Sequence, residues 1–133
     1  MTNHLFSLVR DGVPDLAKTV IETPEGRRYS YADLIARSGA YAASLRAAGV
    51  QPGDRVAVQV EKSPEVIFLY LGAVRAGAVF LPLNTAYTPA EIGYFLGDAE
   101  PSVFVCDPGK RDALAEAAAK VRQIWTLDAA GYG

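Results

Sequence analysis

From residue 55 onward the chain alternates short apolar runs with longer stretches of helical spacing, and this alternation restricts the possible folds more than any other feature. The runs 55–60, 78–83, 103–106 and 124–127 have the length and Val, Ala, Leu and Phe content of strands. The intervening 64–77, 88–96 and 107–120 carry helical periodicity, the last as an alanine-rich stretch extending to about Lys120. A connection of a dozen or more residues is a crossover, so the strands are expected to be parallel, with helices packed on the sheet and right-handed links. The expected class is α/β: a three-layer, mostly parallel sheet with flanking helices. Run 55–60 is apolar without alternation, as for a central strand covered on both faces.

Boundary signals agree with this order. Ser30 stands three residues before Asp33, a capping box that opens a helix stopped by Gly49. Ser63 caps a helix with Pro64 in its first turn, and Thr88-Pro89 with Glu91 repeats the box. Gly77 allows a helix-to-strand turn and Pro82 ends a strand. Upstream, 19–22 and 27–30 read as two strands of a hairpin around Thr23-Pro24-Glu25-Gly26. Leu5, Phe6, Leu8 and Val9 suggest a short amphipathic helix ending near Asp11-Gly12.

Composition excludes several roles. The 13 basic and 15 acidic side chains are scattered, so no field of one sign marks a nucleic-acid or anionic membrane surface. No apolar run approaches the roughly 20 residues of a membrane span, and the start lacks the pattern of a secretory leader. The lone Cys106 makes no internal disulfide, and no Cys/His cluster has metal-ligand spacing. A cytoplasmic location, with neither nucleic acid nor membrane as partner, is the expectation.

Few residues suggest chemistry. A phosphate cradle needs clustered glycines, but the 12 glycines are dispersed at caps and turns. His4 is the only histidine and lies at the start of the chain. Cys106, at the end of an apolar strand, reads as a packing group. The tyrosines Tyr29, Tyr31, Tyr41, Tyr70, Tyr87 and Tyr94 belong to separate elements and are not interleaved with basic residues, which favours packing over base stacking. Glu61, Lys62 and Ser63 follow the carboxyl end of a central strand, where open parallel sheets place ligands. The plainer reading is that Lys62 is solvated and Ser63 is a cap.

Tyr29-Ser30-Tyr31-Ala32-Asp33-Leu34 resembles the first core motif of adenylation domains. Val74-Arg75-Ala76-Gly77-Ala78-Val79-Phe80-Leu81-Pro82-Leu83-Asn84 resembles the second, and Thr85-Ala86-Tyr87-Thr88-Pro89-Ala90-Glu91-Ile92 continues as in acyl-CoA synthetases. With Tyr94-Phe95, Asp98-Ala99-Glu100-Pro101 and Val105-Cys106-Asp107-Pro108, the stretch is most similar to malonyl-CoA synthetases. The resemblance covers nearly the whole chain.

It implies a ligase that activates a carboxylic acid with ATP to an acyl-adenylate, then transfers the acyl group to CoA, with magnesium assisting. Residues 1–133 would be part of the N-terminal, AMP-binding type large domain. The ATP phosphate loop and the small C-terminal domain are expected outside them. The chain by itself is then expected to bind no cofactor and be inactive, with ATP, Mg2+ and CoA belonging to the full-length ligase. Asn84 and Tyr87, like Glu61, Lys62 and Ser63, are at most supporting candidates behind the reacting groups, and no catalytic or metal-binding residue is expected. The expected partner is the remainder of the ligase, or a second copy meeting exposed sheet surface. Two competing readings are a non-enzymatic protein-binding module derived from this fold and a small doubly wound domain of nucleotide-binding or receiver type. The latter lacks the glycine loop or acidic cluster it would need.

Overall fold

The computed structural model describes residues 11–12 and 15–127. Its elements run β1 (Thr19–Glu22), β2 (Arg28–Ser30), α1 (Tyr31–Ala47), β3 (Arg55–Gln59), α2 (Pro64–Arg75) and β4 (Val79–Pro82). There follow α3 (Pro89–Ala99), β5 (Val103–Cys106), a 3-10 turn (Pro108–Lys110), α4 (Arg111–Leu114) and β6 (Gln123–Thr126). β1 and β2 form the expected antiparallel hairpin as a sheet of their own. The remaining strands make a parallel sheet in the order β4-β3-β5-β6. The helix expected around Leu5 to Val9, and His4 with it, lie outside the described residues.

From β3 the chain steps one way to β4, then crosses back to β5 and continues to β6. Right-handed crossovers that reverse direction put their helices on opposite faces of a sheet. Alternating strand residues show this result. Val56, Val58, Val103 and Val105 pack with Ala42 and Leu45 of α1 and with Leu69 and Ala73 of α2. Ala57, Phe104 and Cys106 face the other way, toward Ile92 and Leu96 of α3, Leu114 of α4 and Ala118. The three layers anticipated from the alternation follow. Phe68 and Phe104 are fully buried, and burial of such a side chain contributes about 1.5–3 kcal/mol relative to exposure.

The helices begin where their caps predict. The Ser30 side chain accepts from Asp33 N while the Asp33 carboxylate accepts from Ser30 N, and Thr88 and Glu91 repeat the exchange. Ser63 accepts from Val66 N ahead of Pro64. α1 and α2 cross closely at Gly72, where a Cβ would lie 2.5 Å from the Cβ of Tyr41 and 3.0 Å from the Ser38 carbonyl oxygen. Arg75, near the end of α2, donates to the carbonyl of Ile35 and the hydroxyl of the buried Ser38. At Gly77 (φ +77°) the chain turns into β4, with Pro52 packed 3.2 Å from where a Cβ would stand.

The alanine-rich helix expected to run to about Lys120 is not continuous: α4 stops at Leu114 and turns follow over 115–120. Bonds from Ala115 N to Asp112 O and from Ala119 N to Glu116 O alternate in span with one from Ala118 N to Leu114 O, so no single helical ladder forms. Leu114 and Ala118 are the residues docked on the sheet. Helix propensity is worth only tenths of a kcal/mol per residue, too little by itself to carry the helix through 115–120. The tyrosines in ring contacts pack as expected: Tyr29 lies edge-on against Phe68, Tyr70 edge-on against Phe80, Tyr87 stacks on Phe95, and Tyr94, though 71% exposed, also meets Phe95 edge-on.

Candidate functional site

Because the strand order reverses on either side of β3, the carboxyl ends of β3 and β5 mark the position at which open α/β sheets hold ligands. The last residue of β3 is Gln59, only 1% exposed. Its Nε2 donates to the carbonyls of Asn84 at 2.9 Å and Tyr87 at 3.4 Å. Its Oε1 is buried and has no partner among the described residues. From the far side, Lys110 Nζ donates to the Thr85 carbonyl at 3.0 Å. The loop between β4 and α3 is therefore held by side chains from the ends of two other elements. It closes on itself as well: Asn84 Oδ1 accepts from Ala86 N, and the Asn84 carbonyl from Tyr87 N. Gln59 was missed in the sequence, although a glutamine within Val56-Ala57-Val58-Gln59-Val60 is a polar group in a run otherwise suited to the core.

The sequence candidates fall into separate surroundings. Glu61 and Lys62 are exposed. Ser63 is a helix cap, as the plainer reading had it. Lys62 and Ser63 border a cleft of about 330 Å³ opposite Ile21, Thr23 and Pro24 of the hairpin. Asn84 and Tyr87 belong instead to the loop bound by Gln59. Cys106, opposite Gln59 in the β3–β5 register, is fully buried, and burial raises its thiol pKa, so it sits as a packing group.

A polar cluster the sequence did not reveal lies between α1 and α2. Glu65, in the first turn of α2, accepts from Arg37 Nη1 at 2.7 Å and from the Tyr41 hydroxyl at 2.6 Å. Arg37 also stands over the rings of Tyr29 and Phe68. These contacts tie the hairpin to the helices. Among the described residues no group of three His, Cys, Asp or Glu converges to hold a metal ion. Glycines with positive φ, at 26, 49, 53 and 77, are spread over three connections rather than gathered in one loop. The described residues do not fit a magnesium–nucleotide site, and no step of phosphate chemistry can be assigned to them.

Over residues 12–132 the sequence matches the family described as AMP-binding enzyme. The chain belongs to that family. Among its relatives, AMB antimetabolite synthetase AmbB of Pseudomonas aeruginosa is 37% identical over 129 residues, 97% of this chain and 10% of the synthetase. Acyl-CoA ligase sidI of Aspergillus fumigatus is 34% identical over 97 residues, 72% of this chain and 16% of the ligase. Apo MatB from Rhodopseudomonas palustris superposes with a TM-score of 0.93 at 53% identity, covering 100% of this chain and 27% of MatB. ATP-bound MatB superposes equally well. A benzoate CoA ligase from Burkholderia xenovorans, at 23% identity and a TM-score of 0.84, shares the fold. The architecture is that of the adenylate-forming ligases. The chain spans about a quarter of MatB's length and a small fraction of the family members named above.

Proposed function

We propose that this chain forms part of the large domain of an acid:CoA ligase that converts malonate, ATP and CoA to malonyl-CoA through an acyl-adenylate in the cytoplasm. The observation that carries the reading is the 53% identity to MatB, with a TM-score of 0.93, over the full length of this chain. The motifs resembling malonyl-CoA synthetases, from Pro82 to Pro108, support malonate as the acid. In this reading the chain is scaffold: its described residues build the sheet and the loop at its carboxyl edge, while the groups that bind ATP, Mg2+ and CoA come from other parts of the ligase polypeptide. The 133 residues by themselves then have no turnover.

The test pairs intact-mass determination of the unprocessed product with an assay for AMP formed in the presence of malonate and CoA. A product of ligase size that releases AMP with malonate in preference to acetate or benzoate supports the whole reading. Equal rates with all three acids would remove malonate and leave the ligase. A product of only these residues that binds a separate protein and never turns over would favour the binding-module alternative.

A further inference from the structure

We propose that Gln59 is a positioning residue: its side-chain amide sets the geometry of the loop 83–88 at the carboxyl edge of the sheet. The ligase reading says what this loop would serve, but the inference about Gln59 rests on the loop alone. A side chain that merely filled the space below the loop could be leucine or methionine, with no polar atom to satisfy. Glutamine leaves Oε1 buried without a donor among the described residues, which is unfavourable. What offsets it is Nε2, an amino group with two hydrogens directed at the carbonyls of Asn84 and Tyr87. These carbonyls also decide which way the amide faces, because a flipped amide would set Oε1 against carbonyl oxygens. The carbonyls bracket the turn that carries Thr85 and Ala86, and Lys110 holds the Thr85 carbonyl between them. The loop is thus restrained at successive backbone positions from β3 and from the segment after β5. The ring of Tyr87 is thereby held against Phe95 of α3.

The experiment uses the 133-residue chain and the variants Gln59→Met and Gln59→Glu. Hydrogen exchange is read at Ala86 and Tyr87, whose amides close the loop, and at Val103 and Val105 in the sheet. In Gln59→Met the loop amides should exchange about threefold to tenfold faster, as expected for loss of a hydrogen bond of ordinary strength, with the sheet amides unchanged. In Gln59→Glu the neutral acid can donate to one carbonyl, whereas the carboxylate faces two carbonyl oxygens in a buried setting, so its folded pKa lies above that of the unfolded chain. Stability and loop protection should therefore be close to wild type near pH 4 and fall as the pH rises toward 8. Cys106 from β5, Tyr87 from the loop, and Lys110, Asp107 and Arg111 from the segment after β5 are common to every variant. A slope present only in Gln59→Glu therefore belongs to the new carboxyl. Unchanged loop exchange in Gln59→Met, or a Gln59→Glu profile parallel to that of Gln59→Met, would reduce Gln59 to a space-filler. If Gln59→Met fails to fold, the pH series of Gln59→Glu decides by itself. Neither readout depends on turnover, so a failed ligase assay and a failed positioning role are separable.

Discussion

At the scale of single residues, the cluster of Glu65, Arg37 and Tyr41 shows how a side chain is committed by what folds against it. Glu65 is buried within an apolar helix because Arg37 and the Tyr41 hydroxyl satisfy one carboxylate oxygen each. Burial, the hydrogen bond to Glu65 and its negative charge all raise the Tyr41 pKa, against a smaller opposing effect of Arg37. The sign follows: the unfolded chain loses the phenol proton near its ordinary pKa of about 10, while the folded chain retains it. Stability from this group is complete below that pH and falls as the pH rises above it. Tyr41→Phe should cost about 1 kcal/mol at neutral pH and flatten this alkaline decline. Urea midpoints measured at pH 8 and pH 11 check it, and equal slopes in both proteins would disprove the bond to Glu65.

At the scale of elements, caps and docking divide control of the helices. α3 starts at a full capping box and a proline, and ends at Glu100 in the left-handed conformation (φ 48°). Thr88→Ala removes the side-chain acceptor for Glu91 N and should destabilise the chain by about 1 kcal/mol, measurable as a shift in the thermal midpoint. The loss should be local in origin, since Thr88 is exposed and fills no cavity. The segment after β5 behaves differently. Its alanines predict helix, yet only Arg111–Leu114 is α-helical and turns follow, although Leu114 and Ala118, joined by a backbone bond of helical span, both dock on the sheet.

At the scale of the whole molecule, the two edges of the parallel sheet are unlike. Val79 N and Leu83 N bond inward to β3, so Phe80 and Pro82 face the open side, where proline offers no N–H. Gln123 N and Leu127 N bond inward to β5, which leaves the peptide groups of Ile124 and Thr126 facing outward with no proline among them. β6 also places one large apolar side chain on each face, Trp125 against one core and Ile124 against the other. Among the described residues no strand covers this edge, and an edge of this kind recruits another strand. Sedimentation should show concentration-dependent association of the 133-residue chain that Thr126→Pro abolishes without unfolding it. A wild-type chain that stays monomeric at high concentration would refute association through this edge.

The order of strands and helices, the hairpin, the helix starts and the packing role of Cys106 were legible in the sequence because each depends on neighbours within a few residues. Ser30 with Asp33 and Thr88 with Glu91 are complete signals in themselves, and the family motifs lie in the same local stretches. What only the tertiary structure decided depends on residues far apart in the chain: Gln59 with the carbonyls of Asn84 and Tyr87, Glu65 with Arg37 and Tyr41, and the interruption of the last helix at Leu114. A glutamine in a strand has no assigned partner until the strand order reverses at β3 and brings the loop after β4 over its end, and a glutamate in a helix has none until α1 packs on α2. The physical reason is that periodicity and capping are short-range, whereas the satisfaction of a buried polar group is set by whatever the completed fold places beside it.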